Sequence, residues 1–468
     1  MVTGKLARFV AETPLKNIPP AVMDGARDAL IDTVGCALAG TLEPAGDIAA
    51  RWVHELGARP QATFWGFNLP TSPSEAAFAN GICAHALDFD DSLPTLRGHP
   101  SATMVPAALA VGEVTGASGA ETLAAYALGL EVAGKLGRAM GHGHYQRGWH
   151  TTATIGVFSA TAAAGRLWKL DAAQLQMAWG IAASETSGII RNFGTMTKPF
   201  HAGHAARSGV LAAWMAKNGF TADAAVFEGS GSVIETYRGE DGADLAGLVQ
   251  QLGEPWEMQE PGIYVKRWPC CYCNHRAVGG MLKLIAGHRI RPEEVTAIEI
   301  GFLPGSDNAL VSVNPHTGLE GKFSIEYCAA AIMLDGELTL ETFTDAMVQR
   351  PTVRAMMAKC RRYRIEDKGV YSGVLGYTDV KIATARGDFT MRVDRAPGSP
   401  DWPMTPQDRI AKFMDCAGRV LGDPGARTLL EAMQGCASLP DIRQLTRLTV
   451  PDPAPKKRSA ARTGTLDA

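Results

Sequence analysis

The chain has 468 residues, 46% hydrophobic and 20% charged, a composition that suits a globular protein with a large core and two domains. A formal net charge of −3 and a pI of about 6.4 exclude a global attraction to nucleic acid or to an anionic membrane, so an anionic ligand has to be captured locally. Nine cysteines scattered from Cys36 to Cys436 are no disulfide framework in a chain of this length.

The first residues, MVTGKLARFVAETPLK, mix basic and acidic side chains where a secretory signal needs a continuous apolar run. No stretch reaches membrane-spanning length, and a cytoplasmic location is the expectation. From Ala21 to about Phe220 the sequence runs through long segments rich in Ala, Leu, Val, Met and Gly with little β-branched alternation, which predicts a mostly helical domain. PSATMVPAALAVGEVTG, TTATIGVFSATAAAGRLW and PFHAGHAARSGVLAAWMAKNG carry many small residues and read as closely packed central helices. EGSGS at 228–232 has neither the lysine of a phosphate loop nor the spacing of a dinucleotide fingerprint, and reads as a loop. A nucleophile elbow is absent too.

Composition shifts near Ile263. GIYVKRWPC and VTAIEIGFL read as strands, and YTDVKIATARGDFTMRVD as a hairpin turning at Ala385-Arg386-Gly387-Asp388. The helical patterns HRAVGGMLKLIAGH and SIEYCAAAIMLDG lie between them. Thr405, Pro406 and Asp408 form a near capping box that opens the closing helices. The expected fold is therefore mainly α with an α+β second domain: a helical part over 1–262, an α/β domain over 263–396, helices over 397–450 that return to the first domain, and a disordered tail over 451–468.

Three positions share one pattern. His99 precedes PSATMVP, His150 precedes TTATIGVF, and Lys198 precedes PFHAGHAARSG, so each stands at the start of a small, apolar helix, with Pro100 and Pro199 suited to first helical positions. Converging helix N-termini would hold a small carboxylate and would keep His99 and His150 neutral, able to accept a proton. A single histidine at a helix start is more often structural than catalytic; three such places together with Asp88, Asp90, Asp91 and Lys266 favour a site. Asp88 could orient a histidine or lysine, or simply cap a turn. His85, His201 and His204 read as structural. CCYCNH lacks a second spaced pair of metal ligands, so Cys270, Cys271, Cys273 and His275 read as buried or site-lining groups and no metal is expected.

HALDFDD with GHPSA, GWHTTATIGVFSATAAAGRL, NFGTMTKPFHAGHAARSGV, KRWPCCYCNH and GKFSIEYCAAAIMLDG together resemble the MmgE/PrpD family, in order from about residue 5 to 445. That family includes 2-methylcitrate dehydratases, cis-aconitate decarboxylases and iminodisuccinate epimerases. The resemblance implies a large all-helical domain completed by the C-terminal helices, a smaller α/β lid, a homodimer, a site between the domains, and no metal or organic cofactor. It implies catalytic roles for Asp88, His99, His150, Lys198, Lys266 and Tyr327, and substrate contacts from Ser92, Arg97, Tyr145 and Cys271. Cys271 and Ser92 stand where the decarboxylases have histidine and threonine, which disfavours decarboxylation. SLPTLRGHPSA and GRAMGHGHYQRGWH resemble the iminodisuccinate epimerase branch. The expected reaction is proton removal beside a carboxylate of a small polycarboxylate, first as epimerisation. A citrate-type dehydratase and a silent polycarboxylate-binding protein are the alternatives.

Overall fold

In the computed structural model, residues 1–369 and 371–451 are described; apart from Pro451, the expected tail lies outside the described residues. The helices that carry the architecture are α1 (Pro20–Gly40), α2 (Pro73–Ala86), α3 (Ser101–Thr115), α4 (Gly119–Gln146), α5 (Gly156–Leu167), α6 (Thr197–Lys217), α7 (His275–His288), α8 (Ile325–Asp335) and α9 (Pro406–Gln434). One apolar cluster runs from Leu6 to Val249 and takes in Phe413 to Leu445, so α9 packs on α1 and completes the helical body. A second cluster, centred on residues 268–393, is the core of the lid. No described helix is long and apolar enough to cross a membrane.

Small residues set how closely the central helices approach. A Cβ added at Gly81 on α2 would lie 2.8 Å from the Gly203 Cα on α6, and one at Gly203 would lie 2.4 Å from the Phe78 carbonyl oxygen. The two helices can cross at this distance only without side chains there. Because α2 ends in His85 and α6 begins with Lys198 and His201, the crossing also sets the spacing of ionisable groups at the domain interface.

The lid sheet has the order β2-β1-β3-β4, from β1 (Val295–Phe302), β2 (Cys360–Arg364), β3 (Thr378–Thr384) and β4 (Gly387–Val393). β1 pairs parallel with β2 and antiparallel with β3, and β3 pairs antiparallel with β4. Strict alternation of buried and partly exposed residues along β3 leaves one face for α7 and the other toward solvent. Gly336 ends α8 in the left-handed region at φ 78°, and Thr405 caps α9 through a reciprocal bond pair with Asp408.

Several local expectations change. GIYVKRWPC is no strand of the sheet: Tyr264 exchanges both backbone bonds with Ser92, and Val265 donates to the Gly398 carbonyl, so the segment is a strap between the two domains. The hairpin turn shortens to Ala385-Arg386 because Thr384 already pairs with Gly387. Pro100 sits just outside α3 as its cap, and Pro199 is the third residue of α6. His150 heads only a single helical turn, Thr151–Thr154, before the chain breaks at Ile155 and resumes in α5.

Gly203→Ala is expected to lower the thermal unfolding midpoint, at a cost of about 1–3 kcal/mol from overpacking. An unchanged midpoint in a calorimetric scan would show that the crossing is not closely constrained.

Candidate active site

A cavity with about 630 Å³ of empty space, its open mouth included, lies between the domains. The helical domain lines it with Ser92, Arg97, His99, Tyr145, His150 and Lys198, and the lid with Cys271, Tyr272, Cys273 and residues 372–374. Asp88 and Lys266 are buried behind this wall and join it through Lys198. Nine of the ten residues picked from sequence thus gather at one place. Tyr327 does not: its hydroxyl is buried in the lid core and donates to the Thr342 carbonyl.

Asp88 is the electrostatic centre. Its Oδ1 accepts from Lys198 Nζ at 2.6 Å and from Lys266 Nζ at 2.7 Å. Burial acts to raise the carboxyl pKa, but the two ammonium groups outweigh it and hold Asp88 well below the usual carboxylate range. Asp90, also held ionised, brings a second buried carboxylate that balances the two ammonium groups, so it is the place of Lys198 on the cavity wall, in surroundings of low polarisability, that lets its charge act on an anion. Phe193 and Phe323 flank Lys198 Nζ at 5.1 and 5.0 Å.

Four imidazoles form a row beside this charge. Ring centroids are 4.4 Å apart for His99–His85, 5.9 Å for His85–His150 and 5.2 Å for His150–His201. His99 Nδ1 lies 2.8 Å from the Asp91 carbonyl, which can only accept, so the ring proton sits on Nδ1 and Nε2 carries the lone pair. Asp90 joins His85 to His99, at 2.9 Å from His85 Nδ1 and 3.3 Å from His99 Nδ1. Burial lowers the pKa of all four, to about 3 for His85 and about 4 for His201, and Lys198 lowers each further. Neutrality therefore comes chiefly from burial and lysine charge rather than from the helix termini expected from sequence.

His85 and His201, read from sequence as structural, thus stand in one row with His99 and His150. The sequence did hold a signal for one of them: His201 follows Lys198 by three residues, which places both on one face of α6. His204, six residues beyond Lys198, instead lies 3.8 Å from Glu185. Arg97 takes a left-handed backbone at φ 56° and donates to the Gly137 carbonyl at 3.2 Å. Burial pushes the Tyr145 hydroxyl pKa well up, and a hydrogen bond shared with Cys273 does the same to the Cys271 thiol.

Ligand atoms of His85, Asp88, Asp90 and His99 lie within 4.8 Å of one another. Yet Asp88 Oδ1 already holds two ammonium groups, and the Asp90 carboxylate is bonded to His85. Lysine charge occupies the place a cation would take, so the group does not fit an ion. In CCYCNH, His275 Nε2 donates to the Cys270 carbonyl at 3.3 Å rather than joining a thiolate cluster.

Asp91 behaves opposite to Asp88. Buried and bonded by Ser101 Oγ at 2.5 Å, its carboxyl is pushed up to about 8, mainly by desolvation. A raised carboxyl pKa stabilises the fold below the unfolded value of 3.8 and loses that contribution as pH rises toward 8. Asp91→Asn is expected to cost about 1 kcal/mol or less at pH 7 and to flatten the decline of stability across that window. Asp88→Asn is expected to cost about 3–5 kcal/mol at pH 7, since it strands two buried ammonium groups. Denaturant unfolding at several pH values checks both, and equal costs at pH 7 would contradict the assignment.

Comparison with known proteins gives a consistent picture. The MmgE/PrpD N-terminal domain model matches residues 4–246 and the MmgE/PrpD C-terminal domain model residues 268–436. The latter includes α9, which packs with the helical body rather than the lid core. The chain is 26% identical over 465 residues to cis-aconitate decarboxylase of Homo sapiens, covering 96% of this chain and 94% of that one. It is 23% identical over 470 residues to cis-aconitate decarboxylase of Aspergillus terreus, covering 96% and 95%. With both domain models matched in order across a helical body and a mixed lid, the chain belongs to the MmgE/PrpD family.

Proposed function

We propose that the protein is a cofactor-independent enzyme that removes a proton beside a carboxylate of a small polycarboxylate, and that its reaction is the epimerisation of iminodisuccinate. The observation that supports the proton-transfer step is His99 Nε2, a lone-pair site in a mostly buried neutral imidazole, standing beside the ammonium groups of Lys198 and Lys266. Proton loss beside a carboxylate builds up an enolate-like dianion, which needs preorganised cationic groups, and the base must be uncharged at the working pH. Arg97 and Ser92 hold the distal carboxylate, and Lys198 faces the carboxylate next to the reacting carbon. His99 and His150 serve one face of that carbon; Tyr145 and the Cys271 thiol, whose raised pKa keeps it protonated, serve the other. Two groups on opposite faces are what inversion requires.

A second reading is elimination of water or carbon dioxide from a citrate-like acid. It is favoured by the relatives named as decarboxylases, whose activity uses the same class of substrate. Cys271 and Ser92, standing in place of the histidine and threonine of that branch, weigh against decarboxylation. The exposed Trp52, Phe200, Leu211 and Trp214 support a second copy as partner. Trp52 and Arg207 both bond Glu75, which brings the faces carrying these residues side by side.

Proton NMR in D2O with iminodisuccinate, 2-methylcitrate, citrate and cis-aconitate offered separately tests the choice. Deuterium entering an intact iminodisuccinate skeleton with loss of configuration is expected; vinyl signals from a hydroxy acid would overturn epimerisation in favour of a dehydratase. On the true substrate, His150→Ala and Lys198→Ala are expected to lose about 10²–10⁴-fold in turnover while staying folded. Near wild-type rates in both would place the reaction elsewhere.

A further inference from the structure

Two buried lysines outside the cavity wall take no part in the chemistry above. Lys322, just after the short lid helix Gly318–Gly321, donates from Nζ to the carbonyls of Leu87 at 2.8 Å and Pro269 at 3.0 Å. Lys412 on α9 donates to the carbonyls of Phe89 at 2.8 Å and Lys266 at 3.0 Å, with Asp32 Oδ1 as its counter-ion at 2.7 Å. Lys266 itself donates to the Asp88 carbonyl at 2.7 Å. The three consecutive carbonyls of residues 87, 88 and 89 therefore each meet a different ammonium group, brought by the lid, the strap and the C-terminal helix.

The residue in the middle of this run needs such support. Asp88 is held in the left-handed region at φ 51°, where a non-glycine residue carries a conformational cost unless its surroundings over-determine it. Charge-assisted bonds to the carbonyls on both sides do so. The second carbonyl held by each lysine lies on 266–269, the segment that carries Lys266. Each ammonium group thus ties the Asp88 turn to the strap.

We propose that Lys322 and Lys412 are positioning residues of this site. They fix the Asp88 turn against the strap at the spacing that lets Lys198 and Lys266 share one carboxylate oxygen, and they lock the lid and the C-terminal helix to that spacing. The proposal rests on reading the Asp88, Lys198 and Lys266 group as the reaction centre. Neither lysine touches the substrate.

Lys322→Met and Lys412→Met keep the length of the side chain and remove its donors. In each folded variant, assayed well below its unfolding midpoint, the rate of deuterium entry into iminodisuccinate is expected to fall about 100-fold, as for a misplacement of about 1 Å. The acid limb of the pH profile, set by protonation of His99, is expected to move to higher pH, because a His99 less strongly repelled by displaced Lys198 and Lys266 protonates more readily. A crystal structure of either variant should show Asp88 displaced from φ 51° and parted from Lys198. Rates within twofold of wild type with an unmoved acid limb, or an unmoved Asp88, would overturn the proposal and leave the lysines a role in stability only. Should a methionine variant not fold, Lys322→Gln or Lys412→Gln, one bond shorter than lysine, uncharged and so unable to hold both carbonyls, decides by the same criteria. Failure of all four to fold would also overturn it. Asp88→Asn, run in parallel, separates the two levels: turnover retained there removes the reaction centre itself, whereas turnover lost there and retained in the lysine variants removes only the clamp. If wild-type protein leaves iminodisuccinate unchanged, the choice of reaction has failed and the crystallographic comparison still decides the clamp.

Discussion

One carboxylate bearing two buried ammonium groups is the constraint on which the rest of the site depends. Asp88, Lys198 and Lys266 come from the end of α2, the start of α6 and the strap between domains, and no pair of them is close in sequence. Isolated burial of any one would be costly, since an unpaired charge in a protein interior loses several kcal/mol of hydration. Bringing all three together offsets much of that cost and keeps one cation, Lys198, at the cavity wall. The helical packing, the route of the strap and the return of α9 can each be understood as holding this group in place.

The same group shapes the chemistry of the histidines. Lys198 contributes to lowering the pKa of His85, His99, His150 and His201, and burial does the rest. The proposed proton abstraction from a polycarboxylate needs positive charge and a neutral base side by side. Here the first requirement helps to secure the second. Asp90 bonds His85 and lies 3.3 Å from His99 Nδ1, and its charge also supports the protonated form of Lys266.

Much of this was legible in the sequence, for identifiable reasons. Small-residue runs marked the central helices, the shift near Ile263 marked the lid, and the capping pattern at Thr405 marked the start of α9. Asp88, His99, His150, Lys198 and Lys266 stood out because charged groups interrupt otherwise apolar segments. Alternation along 262–270 suggested a strand, but the strap's hydrogen-bond partners are the loop at Ser92 and Gly398, which no local pattern reveals. β2, five residues rich in arginine and mostly exposed, lacked any apolar-polar alternation to mark it. Tyr327 occupies a recognisable motif, yet its hydroxyl bonds within the lid. Lys322 and Lys412 were invisible for a different reason: their role lies in bonds to backbone carbonyls far away in sequence, and a buried lysine on α9 looks like a surface one until the chain is folded.

The proposed chemistry requires the imidazoles beside the lysines to be neutral bases at physiological pH. A titration of the histidine Cε1–H resonances by NMR, from pH 8 to pH 5, tests it most directly, with His99→Ala and His150→Ala used to assign the two signals among the chain's 11 histidines. The account predicts that His99 and His150 protonate well below the ordinary histidine value of about 6.5. A midpoint at or above that value for both would make them cations in the resting enzyme and would contradict their assignment as proton acceptors.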